Sequence, residues 1–206
     1  MNADIRGNSS PGRLLQTATT LSRWAIWAAG ALMLLTVLYI VADIVLRALG
    51  GRSLHSDELS GYAFAISVSW ALSFATLQRA NIRIDALYQT LPVRICALLD
   101  WVSLVGLAVF IAYVTRYATS VATTSWENGS TANSILATPL WIPQFIWVAG
   151  FVWLCIVLAL MLLRASTALV RGDAAGVQAV CGIRSTQEEA EEEALAGEQY
   201  VRGNQP

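Results

Sequence analysis

The sequence has no lysine and a single histidine, His55, among its 206 residues. One imidazole cannot provide the paired ligands of a haem or a histidine-rich metal site, which disfavours both chemistries. All thirteen basic residues are arginines, and they form no basic stripe of the kind that binds nucleic acid. The hydroxyl groups between residues 59 and 77 have no histidine or lysine beside them to act as a base. The sequence therefore predicts neither an enzyme, nor a bound cofactor or metal, nor a nucleic-acid partner.

Cysteine is scarce as well, with only Cys96, Cys155 and Cys181 in the chain. These three share no short spacing, and each lies in or beside an apolar segment or in the polar C-terminal segment. Disulfide frameworks and metal sites use cysteines in closely spaced, recurring sets. We therefore expect three structural thiols.

Apolar sequence is abundant. The apolar content is 56% and the mean hydropathy is +0.55, values too high for a soluble domain of this length. A membrane-spanning helix needs about 20 predominantly apolar residues to cross a hydrocarbon layer of about 30 Å. The sequence predicts an all-α integral membrane protein with four transmembrane helices and a short interfacial amphipathic helix between the second and third. The crossings are predicted at residues 24–46, 59–77, 93–117 and 141–163, and the interfacial helix at residues 82–91.

The first apolar run is predicted to be an anchor, because it is longer than the about 7–15 apolar residues of a signal peptide and continues into charged sequence. Its one acidic residue, Asp43, lies four residues before Arg47 on the same helix face. We interpret the two as an interfacial ion pair, with a proton-relay carboxylate as the alternative. Asp100, inside the third crossing, is given a structural role in preference to ion conduction, with Arg79 or Arg83 as its expected partner.

The second crossing carries two features at its start and along one face. Asp57 and Glu58 mark the N-terminus of its helix, where acidic residues suit the helix dipole. Glu58 is expected to pair with Arg47 across the short connection. Four small residues recur every fourth position and predict a face that packs closely on the third crossing or on a partner protein. These residues are Gly61, Ala65, Ser69 and Ser73.

The segment after the second crossing reads as an interfacial helix. Its apolar residues recur at i, i+3, i+4 and i+7, with Arg83 and Asp85 mostly elsewhere around the axis. Asn81 is expected to cap this helix and Pro92 to end it.

The arginines predict the orientation, since positive residues accumulate on the cytoplasmic side of a membrane. They precede the first crossing, separate the second from the third and follow the fourth, so both termini are predicted to be cytoplasmic. The opposite side is left with Arg47, Arg52 and Arg116. The predicted divisions are an N-terminal tail at residues 1–22, a four-helix membrane domain at 23–164 and a polar, acidic tail at 165–206.

The order of several short motifs resembles a known family. It begins with Arg47 at the end of the first crossing, and the second crossing is aromatic, as at Trp70. After Arg79 come Ile82, Ile84 and Asp85 and then a Leu-Pro pair, and the fourth crossing opens with Thr-Pro-Leu-Trp-Ile-Pro. The remaining matching positions are Gly51, Ser53, Leu54, Glu58, Tyr62, Phe64, Leu91 and Pro92. From about Trp24 to Leu163 the chain is similar to the small membrane subunit of TRAP transporters, the DctQ family.

This resemblance implies a bacterial inner-membrane protein that acts as a fixed scaffold. Its partners would be a large multi-spanning subunit, which carries the substrate and sodium sites, and a periplasmic solute-binding protein that delivers an organic acid. The alternative is a membrane anchor or assembly subunit of an unrelated complex. The residues that we assign to helix packing or subunit contact are Arg47, Asp57, Glu58, Gly61, Ala65, Ser69, Trp70, Ser73, Arg79 and Asp85.

Overall fold

The computed structural model describes residues 10–51, 56–79, 92–134 and 136–182, together with residues 194 and 197. Its helices are α1 (Ser10–Ala48), α2 (Ser56–Leu77), α3 (Val93–Glu127), α4 (Trp141–Val170) and α5 (Ala174–Cys181). The first four are long and apolar enough to cross a membrane. This confirms the prediction of an all-helical protein with four membrane-spanning helices. The predicted interfacial helix at residues 82–91 lies outside the described residues, as do His55, Asn81 and Asp85.

The helices are longer than the predicted crossings. Helix α1 starts at Ser10 and α3 continues to Glu127, whereas the sequence placed the two crossings at 24–46 and 93–117. The length of an uncharged run predicts the part of a helix that contacts lipid. The helix itself can continue into polar sequence until a residue takes a non-helical backbone conformation. Gly50, Gly129 and Gly172 follow the ends of α1, α3 and α4 with φ of +83°, +58° and +71°. Glycine adopts this left-handed conformation at little steric cost, so these glycines terminate the helices.

The four long helices form two antiparallel pairs. Helix α1 packs along α2, α3 packs along α4, and α2 and α4 join the pairs through the centre of the molecule. Helix α1 is peripheral, and one of its contacts with α4 is a hydrogen bond of 3.0 Å from the Trp153 indole Nε1 to Ser22 Oγ. The buried core comes mostly from α3, α4 and α5. Its most buried large side chains include Leu154, Val157, Leu158 and Val177.

Part of the predicted C-terminal tail is folded against this core. The sequence assigned residues 165–206 to a polar tail, but α4 continues to Val170 and α5 turns back onto α3 and α4. Asp173 caps α5 by accepting a hydrogen bond of 2.8 Å from the backbone N–H of Gly176. Val177 and Cys181 fill the space under α5, where both side chains are buried. The Arg79 guanidinium, just beyond α2, donates to the Gln178 carbonyl at 3.2 Å and ties α5 to α2.

Candidate functional site

Helices α2 and α4 approach each other closely where Ser69 meets Gly150. A Cβ atom placed on Gly150 would lie 2.9 Å from Ser69 Cβ and 3.0 Å from the Ser69 carbonyl carbon. The two backbones therefore touch, with no room for a side chain on α4 at this point. Trp70 reinforces the crossing, because its Nε1 donates to the Ile146 carbonyl at 3.1 Å.

The predicted small-residue face of α2 divides into two halves. Ser69 and Ser73 are fully buried, whereas Gly61 is exposed and Ala65 half-buried. The buried half contacts α4, so the choice of α3 as the neighbour within the chain was wrong. Gly150 is the only glycine between residues 141 and 163, and it is the sequence signal that would have identified α4. In lipid, such close approach over small residues is a main source of helix association.

The two buried serines of this face have their hydroxyl groups satisfied within α2. The hydroxyl groups of Ser69 and Ser73 donate to the carbonyls of Ile66 and Trp70 on their own helix, each at 2.9 Å. The serines therefore act through their small size, since their hydroxyl groups are satisfied without reaching the other helix.

A cluster of polar side chains holds the end of α1 to the start of α2. Asp43 is completely buried and accepts a hydrogen bond from Ser56 Oγ at 2.6 Å. The Arg47 guanidinium contacts the same carboxylate oxygen, which confirms the pair expected from their spacing. A buried carboxylate needs a compensating charge and hydrogen bonds, and here the two helices supply them jointly.

Arg47 and Glu58 have different partners from those predicted. The Arg47 guanidinium lies against Asp43 and, at 3.5 Å, Ser56. Glu58 accepts a hydrogen bond of 3.0 Å from the Tyr62 hydroxyl one turn along α2. Within the described residues the expected Arg47–Glu58 pair is absent, because Ser56 and Asp43 stand closer to the guanidinium. Asp57, next to Glu58, is exposed.

Helices α3 and α4 are held in register at three levels. Trp101 Nε1 donates to Ser166 Oγ at 2.9 Å, and Thr115 Oγ1 lies 3.3 Å from Cys155 Sγ. At the far end the rings of Trp126 and Trp141 meet edge to face, with centroids 4.6 Å apart. Asp100, beside Trp101, is buried and takes part in a polar interaction.

A cavity of about 480 Å³ opens between α1 and α2. Its lining is apolar except for Ser67 and the Trp70 indole N–H, so it offers no site for a charged substrate. The residues around it are Leu21, Trp24, Ala25, Ala28, Ala29, Leu32, Ile66, Ser67 and Trp70. Across the described residues, no group of three or more histidine, cysteine or acidic side chains is arranged to hold a metal ion.

These features define a class of protein: a multi-pass membrane protein in which several polar contacts join its own helices. A family model for the DctQ component of the tripartite ATP-independent periplasmic transporters matches residues 36–168, which is more than half of the chain. The chain belongs to this family, and it is the small permease subunit of a TRAP transporter. The matched region covers α2, α3, nearly all of α4 and the second part of α1. No curated protein and no solved structure matches the chain significantly.

Proposed function

We propose that this chain is the scaffold of a sodium-coupled TRAP transporter for organic acids in a bacterial inner membrane. A large multi-spanning subunit would carry the substrate and the sodium ions past it. A periplasmic solute-binding protein would deliver the substrate to the pair. The family match over residues 36–168 is the observation that carries this proposal.

The packing of the helices supports a fixed role. Secondary transporters bind their substrate at interrupted helices near the middle of the membrane and move one half of the molecule against the other. Helices α2 and α4 are instead continuous and touch at backbone distance where Ser69 meets Gly150. Sliding or rocking α2 against α4 would break this contact, so the described part of the chain suits a frame against which another subunit moves.

Co-purification tests the partnership. In mild detergent, a tagged form of this chain is expected to retain a large multi-spanning membrane protein in a stable complex. The measurement is identification of the retained proteins by mass spectrometry, with an untagged strain as the control. Retention of the subunits of an unrelated enzyme complex, and of no large permease, would contradict the proposal.

The orientation gives a further prediction. Because α3 continues past Arg116, this arginine lies within a helix and not in the segment between α3 and α4. The predicted outer side then keeps Arg47, in the last turn of α1, and Arg52, which supports the assignment of both termini to the cytoplasm. Single cysteines introduced at Ser10, Thr90 and Ser185 are therefore expected to resist an impermeant thiol reagent added to intact spheroplasts. A cysteine at Ser130 is expected to react. Labelling of the Thr90 position from outside would refute the four-crossing arrangement.

A further inference from the structure

One face of α3 carries polar residues along its second half. Arg116, Ser120, Thr123 and Glu127 follow one another at i, i+4, i+7 and i+11, a spacing that aligns them on one side of a helix. All four side chains are exposed. We call these four residues the Arg116 face.

Arg116 lies at membrane depth. Tryptophan is enriched at the two boundaries of a membrane, and α3 carries Trp101 near one end of its contact with α4 and Trp126 near the other. With a rise of 1.5 Å per residue, these tryptophans are about 38 Å apart along the helix, close to the thickness of a bilayer. Arg116 is then about 15 Å from Trp126 and about 22 Å from Trp101 along the axis.

The register with α4 leads to the same depth. Thr115, the residue before Arg116, lies 3.3 Å from Cys155. Cys155 is well inside the uncharged run that extends from Trp141 to Leu163. Arg116 is also the only charged residue between Trp101 and Trp126. It therefore stands beside the part of α4 that is suited to hydrocarbon.

The Arg116 guanidinium is exposed and has no hydrogen bond or ion pair among the residues that the structure describes. A charge at this depth in lipid is costly, and charged residues in membrane helices usually face protein or a water-filled cavity. A long side chain can bring its charge to the membrane surface only if it points towards it. Side chains on a helix lean towards the N-terminus, so Arg116 leans towards Trp101, away from the nearer boundary.

The outer surface of α1 carries no exposed charged residue between Trp24 and Leu46. Between Trp24 and Leu46 its one charged residue is Asp43, which is completely buried. Its exposed side chains there are mostly large and apolar, as expected of a helix in contact with lipid. The exposed surface of α1 is therefore suited to contact with lipid, whereas the exposed charge on α3 is suited to contact with another protein.

We propose that the Arg116 face is the surface on which the large membrane subunit docks, and that Arg116 pairs there with a carboxylate of that subunit within the membrane. Charge complementarity points to this occupant, since acyl chains have no acceptor and headgroup phosphates lie out near the level of Trp126. Small hydroxyl-bearing residues such as Ser120 also permit a close helix approach. This inference rests on the proposed function, which supplies the partner.

The test measures binding of the purified large subunit to this chain in lipid nanodiscs. Arg116→Gln is expected to weaken binding about 30-fold or more, because the partner's carboxylate would be left buried without its charge. Arg94→Gln is the matched control, as Arg94 is an exposed arginine at the other end of the same helix. It is expected to leave binding unchanged.

Two further variants test the face by size. Ser120→Trp is expected to block docking, whereas Val121→Trp, exposed but about 100° further around the axis, is expected to be tolerated. Charge reversal supplies the specific test: Arg116→Glu should lose binding and recover it when one membrane-embedded Asp or Glu of the large subunit is changed to Arg. The melting temperature of the isolated chain should be the same for wild type and Arg116→Gln.

The outcomes separate this inference from the proposed function. Failure of the wild-type chain to bind the large subunit would overturn both. Normal binding by wild type, Arg116→Gln and Ser120→Trp alike would overturn the docking face alone and leave the α3 surface to lipid. A fall in the melting temperature of isolated Arg116→Gln would make Arg116 an internal structural residue, which also overturns the inference.

Discussion

Replacing Ser69 by leucine is expected to force α2 away from α4 and to lower the free energy of unfolding of the isolated chain by about 3 kcal/mol. Ser69 is completely buried, and its backbone is already in contact with Gly150. The added isobutyl group has no space to occupy unless the helices separate, which would also stretch the hydrogen bond from Trp70 to Ile146. Thermal or SDS unfolding of the purified chain in micelles measures the change.

Matched variants show whether size is the cause. Ser69→Ala should change the free energy of unfolding by less than about 1 kcal/mol, because the lost hydroxyl bonds only to its own helix. Gly61→Leu, on the exposed half of the same face, has open space around it and should be tolerated in the isolated chain. Ile66→Leu nearly conserves volume and should cost less than about 1.5 kcal/mol.

A pair of glycines tests the opposite side of the contact. Gly150→Ala should be destabilising, since its new methyl group would overlap Ser69, whereas Gly106→Ala on α3 meets no atom within 4 Å. The second change should be neutral or stabilise by up to about 1 kcal/mol through helix propensity. Equal unfolding midpoints for Ser69→Leu and Gly61→Leu would show that α2 and α4 do not meet in this way.

Replacing Asp43 by alanine is expected to lower the free energy of unfolding by about 2 kcal/mol. The carboxylate is completely buried and joins Ser56 of α2 to Arg47 of α1. The Arg47 side chain is 45% exposed, so water compensates for part of the lost ion pair. The unfolding midpoint in micelles measures the change, and Asp57→Ala, which removes an exposed acid at the same end of α2, is the control with little expected effect.

Two double-mutant cycles test which side chains of α1 and α2 interact with each other. The effects of Asp43→Ala and Ser56→Ala should be non-additive, since each change removes the same hydrogen bond. The effects of Arg47→Ala and Glu58→Ala should add within about 0.5 kcal/mol, because these two side chains have separate partners. Additive effects for Asp43 and Ser56, with non-additive effects for Arg47 and Glu58, would instead support the Arg47–Glu58 ion pair that the sequence predicted.

The sequence was sufficient for the number of membrane-spanning helices, because uncharged runs of the required length are a direct consequence of the bilayer thickness. It was insufficient for the helix ends and for α5. The last turns of α3, up to Glu127, are rich in serine and threonine, and the helix ends only where Gly129 takes a positive φ. Helix α5 has eight residues, too short to stand out from the polar segment around it.

The sequence likewise predicted some parts of the candidate site and not others. Spacing along one helix identified the Asp43–Arg47 pair and the small-residue face of α2, since both depend only on the helical repeat. Contacts between helices depend on how the helices pack in three dimensions. The face that contains Ser69 was therefore expected to meet the third crossing or a partner protein, whereas it meets α4. Arg47 was expected to pair with Glu58, whereas the structure places it against Asp43, which also accepts from the Ser56 hydroxyl.

The central claim, that this chain is an essential scaffold and carries no substrate itself, is tested most directly by uptake into proteoliposomes. With this chain, the large membrane subunit and the solute-binding protein all present, an inward sodium gradient is expected to drive accumulation of an organic acid. Omitting this chain should abolish uptake, and proteoliposomes that contain it alone should accumulate nothing. Sodium-driven accumulation by this chain alone, or undiminished uptake without it, would contradict the account.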